Sequence, residues 1–564
     1  MAYDGLFIHS LLTQITPALL GAKLSKIAQP FEHDLILTFR KERQNLRLLV
    51  SANSQYPRFY FLDENLKNPD VAPTFTMVLR KYLSGSILKK IDQVGVERIV
   101  NFYFSNRNDL GDEVSLVLSV ELMGRHSNVI LYDENSGIII DLLKRINPDE
   151  NRARILLPKA HYELPPLRAG INPLTVTEDE FKDLQARYEP QDLAAKISGL
   201  DRDDRNELTG YFEDDYSYAS LQTFVKQLDN PKAFILMNAK HLRRLFLYLP
   251  YHLDYELLFK NADVNAGIAD FYREQANRNW VRQKAGRITT IVKNERQKLE
   301  KKLGKLTSQL DLAENSESYR IKGELLETYL NQVKPGMTKI SLPNYYENNK
   351  PLVISLDPAL PPVRNAQKYF TRYQKLRDSI KYVKQQIKIA QQNLAYFDSI
   401  QTAIDNADPQ DIDAITEELT EQGYLHQQTK GRRKRKKITE KNLPQFKLTS
   451  GKLVLVGKNN YENDWLTFKK ANKSDYWFHV KNMPGSHTIL RDDDPSEQDI
   501  QETAEIAAYF SKGRSSSHVQ VDYVQDKRLK KPKGAKPGFV IYRGQNSIEV
   551  TPDEHSVLAK QVKS

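Results

Sequence analysis

The sequence predicts a multidomain chain of mixed α/β and α class, with an α+β domain at each end and a helical middle. Three observations predict it. A length of 564 residues with 26 prolines exceeds what one hydrophobic core can organise. Short runs alternating apolar and polar residues fill both ends. The middle carries a heptad seam.

From Asp4 to about Pro165 the pattern is of short strands, such as Asp34 to Phe39 and Val114 to Val120, with a helix expected over residues 5 to 20. The first domain is bounded at 1–172, because Pro158, Pro165, Pro166 and Pro173 punctuate a linker. Residues 173–270 form the second domain, read as several short amphipathic helices over 178 to 260. Within it, Ile197-Ser198-Gly199-Leu200 has the look of a helix-to-helix hairpin. Such a glycine turn either exposes amides to a phosphate or merely connects two helices.

Residues 271–405 read as an arm. Leu376, Ile380, Val383, Ile387, Ala390, Leu394 and Phe397 alternate spacings of four and three. An earlier helix carries Val292, Leu299, Leu303, Leu306 and Leu310, and a Pro-, Gly- and Asn-rich insertion, 334–362, lies between them. Two unlike halves in one chain favour an antiparallel coiled-coil hairpin over a parallel homodimer. A helix from about 275 to 332 would extend on the order of 85 Å. Residues 406–445 then hold an acidic helix around Asp411 to Glu421 and the run Lys430 to Lys437, with seven basic side chains in eight positions. Self-repulsion keeps that run extended, as a solvated linker or a nucleic-acid strap. The last domain, 446–564, reads as a small α+β fold with one helix near Pro495 to Phe510.

A formal charge of +11 stands against a background of 72 acidic residues, so the excess sits in local basic surfaces suited to polyanions. Ribosome, tRNA, DNA and an anionic membrane all meet that requirement. The absence of cysteine excludes disulfides, thiolate zinc sites and a cysteine nucleophile. The N-terminus lacks a secretory pattern and no segment keeps about 18 apolar residues together, so the expected address is cytoplasmic.

Candidate contacts fall in both end domains. In the last, Trp477 and Phe478 alternate across a strand, so one is free to stack on a base while the other enters the core. His479, Lys481 and His487 lie where they approach a phosphate, unless the ring groups are simply buried. The loop 527–538 sets six Lys or Arg residues, among them Lys530, Lys531, Lys533 and Lys536, beside two glycines, a composition able to follow a phosphate backbone. In the first domain Arg125 is either an RNA contact or the ion-pair partner of Glu121, four residues earlier. Val96 to Val100 is read as the start of a strand. No Walker loop, nucleophile elbow, HExxH or dinucleotide fingerprint occurs where a fold would need it, so no catalytic residue, metal or cofactor is expected.

Taken in order, Tyr3-Asp-Gly-Leu6, Phe75-Thr-Met-Val-Leu-Arg-Lys81, Glu121-Leu-Met-Gly-Arg-His-Ser-Asn128, Asn459 to Thr467, Tyr476-Trp-Phe-His-Val-Lys481 and Pro484-Gly-Ser-His487 resemble the NFACT family across essentially the whole chain. The resemblance implies an N-terminal domain related to formamidopyrimidine-type DNA glycosylases, a helix-hairpin-helix domain, a coiled-coil arm and an NFACT-R RNA-binding domain. Glycosylases of that type use an N-terminal proline amine. This chain begins Met1-Ala2-Tyr3, so base excision is not expected.

The resemblance further implies tRNA contact by Asp4, Glu97 and Arg98, with Glu97 standing where the family's pair has aspartate. It implies a ribosome-associated quality control factor and not an enzyme. Such a factor binds obstructed 50S subunits carrying peptidyl-tRNA, reaching stalk base and rRNA, and recruits alanyl-tRNA for non-templated alanine tailing, while peptidyl transfer stays with the ribosome. Two alternatives are a surface-displayed adhesin binding fibronectin, for which no export or anchoring signal is legible, and a DNA-processing enzyme.

Overall fold

The computed structural model describes residues 3–63, 66–69, 71–107, 111–147, 149, 153–167, 169–240, 242–425 and 438–562. The basic run Lys430 to Lys437 lies outside the described residues. The chain divides into two compact units, Met1–Gln283 and Lys284–Ser564.

The first unit opens with helix α1 (Gly5–Leu19), capped by the Asp4 carboxylate, which accepts from the Phe7 amide. Strands β1 (Lys23–Phe31), β2 (Asp34–Lys41), β3 (Gln44–Ser51) and β4 (Arg58–Phe61) follow. After helix α2 (Thr74–Leu83) come β5 (Ile87–Gln93), β6 (Ile99–Arg107), β7 (Glu113–Glu121), β8 (Asn128–Asp133) and β9 (Ile139–Leu142). These nine strands form one sheet in the order β4-β3-β2-β1-β5-β6-β7-β8-β9. Period-two burial explains it: Leu35, Leu37, Phe39, Leu48 and Val50 share one core with Leu11, Ile15 and Leu19 of α1.

Helices α3 (Glu178–Gln185), α4 (Pro190–Lys196), α5 (Arg202–Asp214) and α6 (Tyr218–Lys226) come next. The expectation of helices as far as 260 is corrected here. Residues 233–261 form a three-stranded sheet of β10 (Ala233–Asn238), β11 (Arg243–Phe246) and β12 (Tyr255–Asn261), in the order β11-β10-β12. Ala233 and Ile235 of β10 enter the core of the large sheet, whereas Phe234 and Leu236 enter that of the short helices. A strand buried on both faces reads as an unbroken apolar run, which periodicity does not separate from a short buried helix. Helix α7 (Val264–Glu314) begins in this unit, where Trp280 stacks on Phe31 with centroids 4.9 Å apart and donates to Asp34 at 2.6 Å.

In the second unit the rest of α7 is followed by α8 (Glu317–Thr328), the hairpin β13 (Lys339–Asn344) and β14 (Lys350–Ser355), and helix α9 (Pro362–Asp405). The single helix expected over 275 to 332 is thus two, interrupted at Asn315 and Ser316, and the insertion is a β-hairpin with its own small core. The heptad positions of both long helices are buried or half-buried. Ion pairs Arg296–Asp398 at 2.8 Å and Lys384–Glu314 at 2.8 Å join helices running in opposite directions.

After α10 (Ile412–Glu421) the chain forms a six-stranded sheet, ordered β15-β16-β18-β17-β19-β20. Its parts are β15 (Gln445–Lys447), β16 (Leu453–Val456), α11 (Asn460–Trp465), β17 (Tyr476–Val480), β18 (Thr488–Leu490), α12 (Glu497–Tyr509), β19 (Val519–Gln525), β20 (Asn546–Val550) and α13 (Glu554–Ala559). Phe478 and Val480 face a core shared with α12, while Trp477 and Ile489 face a second core on the other side.

The end of β7 shows a further correction. Glu121 is fully buried, and its carboxylate pairs with both terminal nitrogens of Arg154, one at 2.7 Å, and accepts from the Tyr162 hydroxyl at 3.1 Å. Arg125 instead sits in a 3-10 turn (Gly124–His126), exposed, with its Nε donating to His126 at 2.9 Å. A spacing of four brings side chains together on a helix, and this segment is a strand end followed by a turn. Removing one partner of a buried pair strands the other charge. Arg154→Ala is therefore expected to lower stability by about 3–5 kcal/mol in urea denaturation. The apolar double replacement Glu121→Leu with Arg154→Met should recover most of that loss.

Candidate nucleic-acid interface

Three segments distant in sequence meet at the start of α1. Gln93, at the end of β5, donates through Nε2 to the Gly5 carbonyl and to the Glu97 carbonyl, each at 2.8 Å. The turn between β5 and β6 is closed by Glu97 N donating to Val94 O at 2.9 Å. The α4–α5 hairpin enters from the other side, with Leu6 N donating to Gly199 O at 3.0 Å. A Cβ on Gly5 would stand 1.7 Å from the Val96 carbonyl oxygen, and Gly199 has φ +84° with Val96 against it. Only glycine permits this approach at either position.

Glu97 and Arg98 therefore lie on the turn and not on the strand expected to begin at Val96; β6 starts at Ile99. Both are half-buried. Leu122 N donates to Arg98 O at 2.8 Å, which ties this turn to the one bearing Arg125. Glu97, Arg98 and Arg125 thus share one end of the large sheet, where Ile99 of β6 pairs with Glu121 of β7.

Asp4 belongs to the same junction but does not face solvent. It is buried, with Oδ1 accepting from Phe7 N at 2.8 Å and Oδ2 from Asp201 N at 2.7 Å. Asp4, expected at a tRNA contact, is thus turned inward, and the amide of Asp201, just past the Ile197–Leu200 hairpin, is directed onto it. Oxygens of Asp4, Asp201 and Asp204 lie within 4.8 Å of one another. Two backbone amides donate to Asp4, and the Tyr248 hydroxyl donates to Asp204 Oδ1. Burial, followed by the charge of Asp201, pushes Asp4 up to about 6. Burial, followed by the charge of Asp4, raises Asp204 well above the carboxylate range. Sequence reasoning missed Asp204, Tyr248 and Gln93. The run Asp201-Arg-Asp-Asp204 signals a helix start, but nothing local pairs it with position 4.

In the second unit burial overturns part of the expected contact set. Trp477 is 0% exposed, because both faces of its sheet are covered. Its ring lies between Tyr542, with centroids 4.9 Å apart, and His479 and His487 at 5.5 and 5.2 Å. No face is left for a base. His487 is also buried, its Nδ1 2.7 Å from Thr467 Oγ1, and burial together with the neighbouring His479 lowers it to about 3. A neutral buried ring brings no charge to a phosphate. His479 and Lys481 are half-buried.

The basic loop divides in the same way. Lys536 donates to the Tyr424 hydroxyl at 2.6 Å and lies 4.1 Å from the centroid of the Tyr396 ring and 5.7 Å from that of Phe397, so aromatic faces hold its ammonium. Lys531 pairs with Asp464, which also accepts from Gly538 N at 3.0 Å. Lys530 and Lys533 are exposed and, of the four named lysines, offer the open cationic surface.

The comparisons with known proteins agree on one family. Residues 4–438 match the model of the NFACT N-terminal and middle domains, and residues 444–549 that of the NFACT protein RNA binding domain. The Rqc2 homolog RqcH of Streptococcus suis is 38% identical over 567 residues, covering 100% of both chains. The Rqc2 homolog RqcH of Bacillus subtilis is 37% identical over 578 residues, covering 99% of each. A solved chain, the C-terminal part of a fibronectin/fibrinogen-binding protein from Streptococcus suis, is 37% identical over 50% of this chain and 99% of its own, with a TM-score of 0.40. No helix among the described residues is long and apolar enough to cross a membrane.

Two outcomes follow from the site geometry. Gly5→Ala places a methyl group against a backbone carbonyl and should cost about 1–3 kcal/mol, read as a lowered melting temperature. His487 is the pH-dependent case. Its folded value near 3 lies below the usual 6.5, so between those values the unfolded chain binds more protons. The second unit should lose stability as pH falls through that window, and His487→Asn should flatten the acid limb of its melting curve. Both domain matches and the full-length relatives lead to the same assignment: the chain belongs to the NFACT family.

Proposed function

We propose that the chain is a ribosome-associated quality control factor that binds obstructed 50S subunits carrying peptidyl-tRNA and recruits alanyl-tRNA. The ribosome then appends a non-templated alanine tail that marks the stalled product for degradation. The observation that carries the reading is the junction at one end of the large sheet. There Glu97 and Arg98 are held on a turn that backbone and side-chain bonds fix against α1, beside the exposed Arg125. Full-length similarity to proteins named Rqc2 homolog RqcH supports it.

In this reading residues 1–172 form the NFACT-N domain and 173–270 the helix-hairpin-helix domain. Residues 271–405 form a coiled-coil arm that reaches the stalk base. Residues 406–445 connect it to the NFACT-R domain, 446–564, which meets RNA through the exposed Lys530 and Lys533. Arg98 and Arg125 bring guanidinium groups suited to phosphate, and Glu97 accepts from a base or sugar hydroxyl. Asp4 acts from behind, by holding the turn. The chain performs no bond-making step. It holds two substrates of the ribosome together, and holding reactants lowers a barrier without a catalytic side chain.

The test is sedimentation of lysate at moderate salt with sequencing of the copurified RNA. Comigration with 50S subunits and enrichment of alanine tRNA are expected for the wild type. Glu97→Ala and Arg98→Ala should keep the comigration and lose the enrichment. A protein found only outside the cell or in ribosome-free fractions, with no tRNA enriched, would overturn the reading in favour of an adhesin.

A further inference from the structure

We propose that Asp204 and Tyr248 are positioning residues for the Glu97–Arg98 turn, with Asp204 acting as a neutral acid that shares its proton with Asp4. The inference rests on the reading of that turn as a tRNA contact. It starts from an arrangement that costs free energy unless it is protonated: the buried carboxyl of Asp4, which caps α1, and the half-buried carboxyl of Asp204 on α5, with oxygens within 4.8 Å. Two ionised carboxylates at that separation repel in a site largely shielded from water. One proton between them turns repulsion into a hydrogen bond.

The bonds run in one direction. The Tyr248 hydroxyl, just beyond β11, donates to Asp204 Oδ1. In the proposal Asp204 as an acid donates to Asp4, the oxygens of the two lying within 4.8 Å of one another. Asp4, as the ionised member, is then the acceptor for Phe7 N at 2.8 Å and Asp201 N at 2.7 Å. Those two bonds set the first turn of α1 and fix Gly5, whose carbonyl is held by Gln93, the same side chain that holds the Glu97 carbonyl. A displacement of Asp4 therefore reaches the turn through rigid backbone and one amide.

The other charged groups around the pair do not supply a counter-charge. From α5, Asp201 accepts from its own helix start at Asp203 N and Asp204 N. Glu207 accepts from Tyr251 N and His252 N. Arg205 turns its Nη2 to Leu200 O at 3.2 Å, and Arg244 of β11 pairs with Asp203 at 2.9 Å. Burial raises Asp4, Asp204 and Tyr248 alike, in agreement with a site that retains its protons. The sign follows: a carboxyl raised in the folded state stabilises it while protonated and loses that contribution as pH rises through its folded value.

The experiment measures the affinity of the full-length chain for an alanine tRNA transcript as pH is raised from neutrality to the point where circular dichroism melting, the folding control, first shows loss of structure. Wild-type affinity should fall on the alkaline side. Asp204→Asn, a neutral donor of the same shape, should keep the affinity seen at neutral pH and remove the alkaline fall. Asp204→Ala should weaken binding by about tenfold at every pH, and Tyr248→Phe should shift the alkaline fall. An Asp204→Asn protein that loses affinity at high pH as the wild type does, or an Asp204→Ala protein that binds as tightly, overturns the proposal. Arg98→Ala separates the two levels. If it weakens binding while Asp204→Ala does not, the inference alone fails; if it leaves binding unchanged, the reading of the turn fails with it.

Discussion

The first unit depends on how closely α1 can approach the turn between β5 and β6. At Gly5 the helix backbone lies so near the Val96 carbonyl that a single carbon would collide with it, and at Gly199 the hairpin meets the same residue from the other side. That contact sets where α1 begins. Its apolar face, Leu11, Ile15 and Leu19, is then laid along the sheet, and its capping residue faces the hairpin. The family signature Tyr3-Asp-Gly-Leu6 thereby acquires a physical reason at each position. Tyr3 donates to Phe59 O at 2.7 Å, Asp4 caps the helix and holds the hairpin, Gly5 allows the approach, and Leu6 packs with Val96 and the short helices.

Burial of polar groups is the second constraint. Glu121 with Arg154 is removed from water and Asp4 with the half-buried Asp204 largely so, and the two sites solve the cost differently. At Glu121 a guanidinium and a tyrosine hydroxyl satisfy the carboxylate. At Asp4 the partner is another acid, whose carboxyl is raised well above the usual range by burial and then by the charge of Asp4. The first arrangement locks an inner corner of the sheet. The second is joined through Gly5 and Gln93 to the turn that bears Glu97 and Arg98.

In the second unit, covering both faces of the six-stranded sheet divides the aromatic and basic residues into structural and exposed groups. Trp477, His487 and the caged Lys536 hold the domain together, whereas Lys530 and Lys533 remain in water. The rule that alternate residues of a strand face core and solvent applies where one face is open, and β17 has none open at Trp477 and Phe478. Lys536 shows the same lesson for charge. A lysine in a basic loop is not automatically a phosphate ligand when tyrosine rings of α9 and its neighbourhood lie within reach.

Much was legible from residue order alone: the α1 helix, the alternating strands of the large sheet, the seam on α7 and α9, the acidic helix α10 and the α+β class of the last domain are local patterns, and local patterns follow from backbone periodicity. Cysteine usage and the family motifs are likewise properties of the string itself. Tertiary structure alone decided which charges are buried, that Glu121 takes Arg154 and not Arg125, that 233–261 forms strands, and that Asp4 meets residues 201 and 204. These depend on contacts between positions tens to hundreds of residues apart, where desolvation and close packing act and where sequence spacing carries no information.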